Sequence, residues 1–170
     1  TMTKQEVRAA TLAKLMPMRG ALLWDVGCGC GSVAVEWMRA ARYARAIGIE
    51  PRADRRAMAA ENALALGTPK LDLRDGTAPK GLQGLESPDA IFIGGGLSAE
   101  TFAACWDALK PLGRLVANAV TLESEIQLIT LYKAHGGQLV KLQINRAEPV
   151  GALTGWRPLM PVTQWSLVKR

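Results

Sequence analysis

The sequence contains little of what several classes of protein depend on. It has three cysteines and one histidine, so neither a disulfide framework nor a zinc cluster with paired ligands is expected. Aromatic residues make up only 5% of the chain, which leaves few stacking platforms for a nucleic acid. No apolar run approaches the roughly 20 residues that a membrane-spanning helix needs. We therefore expect no metal, no nucleic-acid partner and no membrane association, and a reducing cytoplasm as the natural location.

The remaining composition is that of one globular domain. The 170 residues, 49% of them hydrophobic, are enough to bury a substantial core. The opening T-M-T-K-Q-E leads into an amphipathic stretch, so we expect no signal peptide, and Thr1 before Met2 suggests a piece of a longer chain. Lysine and arginine exceed the acidic residues by 21 to 15, for a net charge of +6. Such a surface suits a nucleic acid or a small polycarboxylate, and charge alone does not choose between them.

The stretch from Leu22 to Met38 is the most informative part of the chain. An apolar strand interrupted by Asp25 runs into a turn of alternating glycines and then into apolar residues at helical spacing. Glycines let the main chain approach a ligand closely, and the free N–H groups at the start of a helix favour an anionic group. A dinucleotide-binding fingerprint would need a glycine where Ser32 stands, whereas the sequence has D-x-G-x-G-x-G.

This turn resembles the S-adenosyl-L-methionine site of class I methyltransferases. There the carboxylate of Asp25 would suit the ammonium group of the methionine part, and the glycine-lined main chain would suit its carboxylate. Glu50 closes the second expected strand, near the offset from Gly27 at which an acid meets a ribose hydroxyl in nucleotide-binding α/β folds. The alternative is a tight strand-to-helix turn that binds nothing.

Strands and helices alternate along almost the whole chain. The patterns predict helices over 4–16, from the glycine turn to 43, and over 53–66, 98–109 and 121–135, and strands over 21–26, 46–49, 71–73, 89–93, 114–120, 138–145 and 162–168. Thr3 and Glu6 have the spacing of a capping box, Ser98 is a predicted N-cap, and residues 149–161 are predicted to form a loop. This order predicts a single α/β domain over 1–170, with a Rossmann-like, mostly parallel seven-stranded sheet and helices on both faces.

Four loops of this expected sheet meet at one edge. Ligands of parallel sheets bind beyond the carboxyl ends of the strands. That edge would carry the glycine turn, Glu50, Gly76 to Ala78, and Gly94 to Gly96, which are small or acidic residues. Their convergence supports a ligand crevice more strongly than any single motif does.

Four longer stretches carry a more specific signal: T-K-Q-E-V-R, L-L-W-D-V-G-C-G-C-G-S-V-A-V-E-W-M, P-D-A-I-F-I-G-G-G and N-A-V-T-L-E. They are similar to stretches of the decarboxylating precorrin methyltransferases of cobalamin biosynthesis. The resemblance spans nearly the whole chain. More specifically, the chain resembles the C-terminal domain of the two-domain members. It implies methylation of carbon 15 of a precorrin tetrapyrrole and loss of carbon dioxide from the ring C acetate. It also implies a homotetramer and an N-terminal tetrapyrrole methylase domain that methylates carbon 5.

The cofactor implied by the resemblance is S-adenosyl-L-methionine. Family contacts carry over onto Thr3, the glycine turn, Glu50 and Ala78, and many relatives have an acid where Thr77 stands. The expected hydrogen bond to adenine would then come from Thr77 or from main chain. The turn K-P-L-G-R also has Leu112 where the family has glycine, which affects only the turn geometry. The full set of expected cofactor residues is Thr3, Asp25, Gly27, Cys28, Gly29, Cys30, Gly31, Glu50, Gly76, Thr77, Ala78 and Gly94.

The implied chemistry asks for positioning more than for a nucleophile. Methyl transfer from a sulfonium is an in-line displacement, and the meso carbon of a reduced tetrapyrrole is already electron-rich. Decarboxylation needs an electron sink, which the macrocycle supplies, and then a proton donor. Glu123 and Asn118, on the rim after the fifth strand, are the candidate catalytic residues. Glu123 would serve as proton donor if it is buried, and its alternative role is stabilisation of the first turn of a helix.

Substrate contacts are expected around the same crevice. Glycines after the fourth strand would let a flat macrocycle approach the backbone, basic residues would pair with its carboxylates, and a tryptophan would cover it. The expected substrate residues are Lys4, Arg8, Gly95, Gly96, Thr121, Arg146, Trp156 and Arg157.

Two other functions stay open from the residues. A nucleic-acid methyltransferase acting on amino groups usually has an N/D-P-P-Y-type loop after the fourth strand, where this chain has G-G-G-L. One that methylates carbon 5 of pyrimidines needs a nucleophilic cysteine, and Cys105 lies in the middle of a predicted helix. The second alternative is a nucleotide-binding domain without catalytic activity, which tight binding of NAD with no response to S-adenosyl-L-methionine would favour.

Overall fold

The computed structural model describes residues 4–170, and the helices and strands follow the alternation expected from the sequence. The helices are α1 Gln5–Leu15, α2 Ser32–Ala40, α3 Ala53–Ala65, α4 Ala99–Ala108 and α5 Leu122–His135. The strands are β1 Leu22–Val26, β2 Arg45–Ile49, β3 Asp72–Arg74, β4 Ala90–Ile93, β5 Arg114–Ala119, β6 Gln138–Leu142, β7 Asn145–Val150, β8 Leu153–Pro158 and β9 Val162–Val168. A single 3-10 turn, Lys80–Leu82, lies between β3 and β4.

Seven strands form the main sheet, in the order β3-β2-β1-β4-β5-β9-β6. Strands β3, β2, β1, β4 and β5 pair in parallel, whereas β9 runs antiparallel to both of its neighbours, β5 and β6. The expected mostly parallel seven-stranded sheet is confirmed. All five residues of β1 and all four of β4 are buried, as strands covered on both faces require.

Each face of the sheet is covered by its own set of helices. On one face, Trp24 of β1 and Leu115 of β5 pack with buried residues of α4 and α5 such as Phe102 and Leu128. On the other, Leu23 packs with residues of α1 and α2. Burial of these apolar side chains is the main term that stabilises the sheet and holds its carboxyl edge in place.

The first residues of α1 and α4 test the predicted N-caps. Ser98 is the N-cap of α4, and its hydroxyl accepts a hydrogen bond from the N–H of Thr101 at 3.1 Å, as predicted. The predicted capping box is wrong, because α1 begins at Gln5 and the cap position falls on Lys4. Thr3 itself lies outside the described residues.

The segment 149–161 is not the predicted loop. It contributes to an antiparallel hairpin, β7–β8, in which Val150 pairs with Leu153 around a tight turn at Gly151. Within the described part of the chain, these two strands pair with each other and not with the main sheet. The missing N–H groups of Pro149 and Pro158 therefore cost the main sheet no hydrogen bond, and proline is tolerated in such edge strands. The glycines and prolines that mark a loop in the sequence here mark an isolated hairpin, and β6 accordingly ends at Leu142.

Candidate functional site

A cavity of about 250 Å³ lies at the carboxyl edge of β1, β2 and β4. It is built from the loops that follow these strands and from the loop after β3. Its lining consists of Val26, Gly27, Ile49, Glu50, Pro51, Arg55, Gly76, Thr77, Ala78, Gly94, Gly95 and Gly96. The convergence of four loops expected from the sequence is therefore present, and the place expected to hold a nucleoside is an open crevice.

The floor of the cavity is main chain. Gly27 has a φ of +71°, and its N–H donates to the carbonyl of Ile49 at 2.9 Å. A Cβ at this position would lie 3.0 Å from the backbone nitrogen of Gly95, a closer contact than nearly all Cβ atoms make. Glycine at position 27 therefore favours both the positive φ and the close approach of the first loop to the loop after β4.

Among residues 4–170, Glu50 is the one acidic residue that lines the cavity. It is 3% exposed, and its carboxylate accepts hydrogen bonds from the N–H of Gly29 at 3.0 Å and from the N–H of Arg52 at 3.1 Å. The guanidinium of Arg55 lies 3.9 Å from the same carboxylate. Because a carboxylate offers about four acceptor sites, two remain for a ligand such as a ribose diol.

Asp25 lies beneath the glycine turn and does not line the cavity. It is 1% exposed, one oxygen accepts from the N–H of Ala34 at 3.1 Å, and the other oxygen has no partner among the described residues. Burial raises the pKa of Asp25 to about 7, the Ala34 N–H opposes this, and the nearby carboxylate of Glu50 adds to it. Its direct contact with a cofactor ammonium stays a prediction.

The rest of the turn supports the cavity from behind. Gly29 donates its N–H to Glu50, and Gly31, with a φ of +75°, precedes the first residue of α2. Cys28 is buried, which together with Asp25 and Glu50 raises the pKa of its thiol far above the ordinary range. Cys30 is half-buried. The expected cofactor residues here that do not line the cavity are Asp25, Cys28, Gly29, Cys30 and Gly31.

The loop after β3 forms the opposite wall. Gly76 has a φ of +147°, and an added Cβ would lie 3.2 Å from the Cα of Gly81. The carbonyl of Thr77 accepts from the N–H of Gly81 at 2.7 Å, which fixes the loop. Gly76, Thr77 and Ala78 line the cavity, where the sequence predicted them, and their contact with a cofactor stays a prediction.

The two candidate catalytic residues occupy different environments. Asn118 is half-buried at the end of β5, where its side-chain amide bonds to Thr11 and Gln164. Glu123 is exposed in the first turn of α5. The burial on which its expected role as a proton donor depended is therefore absent. Thr121 is the N-cap of α5, accepts from the N–H of Ser124 at 3.2 Å, and is likewise exposed.

The expected basic substrate residues already have protein partners. Lys4 donates to the carbonyl of Met160 at 2.8 Å, and Arg8 pairs with Glu36 at 2.5 Å. Arg146 pairs with Glu6 and Arg157 with Glu148, each at 2.9 Å. Gly95 and Gly96 line the cavity, whereas the other members of the set lie at the start of α1, on α1, at the start of α5 and on the hairpin. On the hairpin, Arg146 pairs directly opposite Arg157. Trp156, also on the hairpin, is 77% exposed.

Some residues near the site were not found from the sequence. Arg55 lines the cavity from the first turn of α3. The signal available in the sequence was a basic residue five positions after Glu50, whose carboxylate it approaches in the structure. Thr11 and Gln164 contact Asn118 across more than 40 positions of sequence, which no local pattern indicates.

Within residues 4–170 no cluster of three or more histidine, cysteine, aspartate or glutamate side chains is arranged to hold an ion. None of the described helices is both long and apolar enough to cross a bilayer.

Comparison with known proteins gives one consistent result. A family model described as "Precorrin methyltransferase domain" matches residues 1–169. A protein of Sinorhizobium sp, named "Precorrin-6Y C(5,15)-methyltransferase [decarboxylating]", is 51% identical over 98% of this chain. The chain spans only 41% of that relative's length. A protein of Salmonella typhimurium, named "Cobalt-precorrin-6B C(15)-methyltransferase (decarboxylating)", is 32% identical over 95% of this chain and 85% of its own.

A solved structure agrees with these relatives. The crystal structure of the C-terminal domain of precorrin-6Y C5,15-methyltransferase from Rhodobacter capsulatus superposes with a TM-score of 0.92 at 49% identity. The superposition covers 99% of this chain and 91% of that one. Together with the order of the strands, it confirms the expected class I methyltransferase fold.

Proposed function

The chain belongs to the precorrin methyltransferase domain family, and on that premise we propose that it methylates carbon 15 of a precorrin and removes carbon dioxide from the ring C acetate. The methyl donor in this proposal is S-adenosyl-L-methionine, and the reaction belongs to cobalamin biosynthesis. The observation that carries the proposal is the glycine-floored cavity with the buried carboxylate of Glu50 on its wall.

The cavity has the chemical character that the nucleoside part of this cofactor requires. Glu50 keeps acceptor capacity for two ribose hydroxyls after serving the N–H groups of Gly29 and Arg52. Thr77 and the main chain of the loop after β3 lie where an adenine could be bonded, and Gly27 gives the close approach that a methionine tail needs. The bound cofactor would supply an electrophilic methyl group.

The residues of this chain would then orient the reaction partners. No activated nucleophile is needed, and the buried thiols of Cys28 and Cys105 are poor ones, because burial raises the pKa of Cys105 to about 12 and that of Cys28 further. The loop Gly94 to Gly96 lies between the cavity and the end of β5, where a flat macrocycle could rest against main chain. Water exclusion there would favour loss of carbon dioxide from a poorly solvated carboxylate.

Product mass tests the proposal directly. The protein is incubated with S-adenosyl-L-methionine and a precorrin that carries the ring C acetate, and the tetrapyrrole is followed by mass spectrometry. The expected product has gained one methyl group and lost one carbon dioxide. A tetrapyrrole of unchanged mass would overturn the substrate assignment, and calorimetry that shows binding of NAD but not of S-adenosyl-L-methionine would overturn the cofactor.

We also propose that the protein is a homotetramer and that its full-length form carries an N-terminal tetrapyrrole methylase domain. The assembly is supported by the hairpin, whose apolar side chains Val150, Leu153 and Trp156 are each more than 60% exposed. The larger protein is supported by the relatives, of which the chain spans less than half. A cytoplasmic location is supported by three cysteines that are all free.

Light scattering tests the assembly. The wild-type protein is expected to have the mass of four copies, and Leu153→Glu is expected to give a smaller species because a charge would replace an apolar contact. Leu64→Glu, at a similarly exposed leucine on α3, is the matched control and should keep the wild-type mass. A wild-type protein with the mass of one copy would contradict the tetramer.

A further inference from the structure

A small polar cluster is buried between α1 and the sheet. It consists of Thr11, Asn118 and Gln164, of which Thr11 and Gln164 are at most 1% exposed. The amide nitrogen of Asn118 lies 3.0 Å from the hydroxyl of Thr11, and the amide nitrogen of Gln164 lies 3.1 Å from the same hydroxyl. The nitrogen of Gln164 also lies 2.9 Å from the amide oxygen of Asn118.

The direction of every hydrogen bond in this cluster follows from one backbone carbonyl. The hydroxyl of Thr11 lies 2.8 Å from the carbonyl of Val7, which can only accept, so the hydroxyl proton is committed there. The hydroxyl oxygen must then accept from both amides. Gln164 uses its second N–H for the oxygen of Asn118, and the orientation of the Asn118 amide is fixed at both ends.

Two groups of the cluster remain open after this assignment. The amide oxygen of Gln164 is buried and has no partner among residues 4–170. The second N–H of Asn118 has none within the same range, and Asn118 is only half-buried. An N–H without a protein partner, on an amide that is held in one orientation, is a preorganised hydrogen-bond donor.

The location of this donor is the carboxyl edge of the sheet beside the cavity. Ile93 pairs with Ala117, so Gly94 and Asn118 are the next residues along two neighbouring parallel strands. Helix α1 begins at the same edge, because Lys4 bonds to the carbonyl of Met160 just before β9. Asn118 therefore lies between the glycine loop of the proposed macrocycle site and the first turns of α1.

We propose that Thr11 and Gln164 are positioning residues, which hold the Asn118 amide so that its second N–H donates to a peripheral carboxylate of the tetrapyrrole. This inference rests on the proposed function and assigns to that site a specific contact with its polycarboxylate substrate. An N–H that is already held in place binds a substrate carboxylate more strongly than one that must first be oriented. The reason is that binding then costs no entropy for ordering the donor.

Kinetics of Thr11→Val and Thr11→Ser test the proposal. Valine has the shape of threonine but no hydroxyl, so the two amides lose their shared acceptor and the nitrogen end of the Asn118 amide is no longer held. We expect the KM for the tetrapyrrole to rise about tenfold in Thr11→Val, with kcat and the Kd for S-adenosyl-L-methionine within about twofold of wild type. Thr11→Ser keeps the hydroxyl and is expected to restore the KM to within about threefold of wild type.

Thr101→Val is the matched control for the loss of a buried helical hydroxyl. Thr101 is 1% exposed on α4, which packs on the opposite face of the sheet from α1. Its hydroxyl accepts a hydrogen bond from the hydroxyl of Ser98. Its variant should lose stability without a change in the KM. Equal KM values for Thr11→Val and Thr101→Val, or no rescue by Thr11→Ser, would overturn the positioning role.

A nuclear magnetic resonance measurement separates this inference from the proposed function. The two side-chain N–H signals of Asn118 are assigned by their loss in Asn118→Asp. In wild type and Thr11→Ser, the proton bonded to Thr11 should exchange slowly with water and the open one quickly, whereas both should exchange quickly in Thr11→Val. Fast exchange of both protons in wild type would overturn the locked amide even if the protein methylates a precorrin. One slow proton in a wild-type protein that binds no S-adenosyl-L-methionine would instead show that the proposed function has failed, and the substrate contact with it.

Discussion

Two buried carboxyl groups, Asp25 and Glu50, lie close together at the site and differ in how they are satisfied. Glu50 accepts two backbone N–H groups and has Arg55 nearby, so its charge is compensated inside the protein. Asp25 accepts a single N–H and leaves one buried oxygen without a partner among the described residues. A buried carboxylate is costly unless it is hydrogen-bonded, so the two residues are expected to respond differently to substitution.

Glu50→Gln is expected to weaken cofactor binding. The amide NH₂ of glutamine would face one of the two N–H groups that the carboxylate now accepts, and a charged acceptor for the ribose would be lost. Hydrogen bonds to charged groups contribute about 1.5–3 kcal/mol, so the Kd for S-adenosyl-L-methionine should rise about 10- to 100-fold. Calorimetry measures this change.

The control for Glu50→Gln is Glu61→Gln, at an exposed glutamate on α3, the helix that also carries Arg55. Its affinity for the cofactor should equal that of wild type. An unchanged Kd in Glu50→Gln would remove this carboxylate from the ribose site.

Asp25→Asn is expected to stabilise the protein in a pH-dependent manner. The pKa of Asp25 is raised from 3.8 to about 7, so between these values the native state binds a proton that the unfolded state has lost. The contribution of Asp25 to the free energy of unfolding therefore falls as the pH rises from about 4 to about 7, by on the order of 4 kcal/mol. Asparagine cannot ionise, so the advantage of the variant should be small near pH 4 and largest near pH 8.

Urea unfolding of both proteins at pH 5 and pH 8 measures this difference. Asp107→Asn, at an exposed aspartate on α4, is the control and should show no such dependence. Parallel stability curves for wild type and Asp25→Asn would contradict the raised pKa.

At the scale of single elements, the glycine turn contains three positions with positive φ, and two of them, Gly27 and Gly29, have different surroundings. An added Cβ at Gly27 would meet the backbone of Gly95 at 3.0 Å, whereas one at Gly29 would meet nothing within 4 Å. The φ of Gly27 is +71° and that of Gly29 is +56°, so both substitutions strain the backbone by a similar amount. Only the substitution at Gly27 would also push the glycine turn away from the loop after β4.

Gly27→Ala and Gly29→Ala form a matched pair. Gly29→Ala is expected to lower the free energy of unfolding by about 1–2 kcal/mol, the cost of a left-handed conformation for alanine. Gly27→Ala should cost more, because the loop after β4 must move away. Chemical denaturation gives both values, and an equal loss in the two variants would show that the contact with Gly95 is unimportant.

The sequence was sufficient to predict most elements because their signals are local. The buried apolar runs of β1 and β4, the cap at Ser98 and the strand 162–168 were all predicted at or within one or two residues of where they lie. The hairpin β7–β8 was missed because its strands have no buried face, and alternation of apolar and polar residues is the signal of a half-buried strand. Its exposed apolar residues gave no pattern that distinguishes a strand from a loop.

The candidate site likewise has residues that a local sequence signal indicates and residues that only the folded structure brings together. The residues that line the cavity follow strands whose ends could be predicted, so Glu50, Thr77 and the glycines could be found. Whether a side chain in such a loop points into the cavity or beneath it depends on the turn geometry, which is why the burial of Asp25 could not be predicted. The cluster around Asn118 joins residues from α1, β5 and β9, and only the folded arrangement brings them together.

At the scale of the whole molecule, the hairpin is an appendage between β6 and β9. Among the described residues, its ties to the main body include the exposed ion pair of Arg146 with Glu6. Beside it, Lys4 bonds to the carbonyl of Met160. Exposed ion pairs contribute about 0–1 kcal/mol, so the fold of the body is expected not to depend on the hairpin.

Replacement of residues 143–161 by an Asn-Gly turn tests this independence. Leu142 pairs with Val162, so a two-residue turn can join β6 directly to β9. The shortened protein is expected to have the circular dichroism spectrum of an α/β protein and the wild-type Kd for S-adenosyl-L-methionine, but the mass of a single copy. A loss of cofactor binding would show that the hairpin takes part in the site itself.

The position of β9 has a consequence for biosynthesis. The strand lies between β5 and β6, although it is made after both, and Lys169 beyond it still bonds to the end of α4. A nascent chain translated at about 5–20 residues per second must wait about 1–5 s after β6 has been made before β9 is complete. During that interval one edge of β5 and the whole of β6 lack their neighbour, and the newly made chain is then most open to chaperones and proteases.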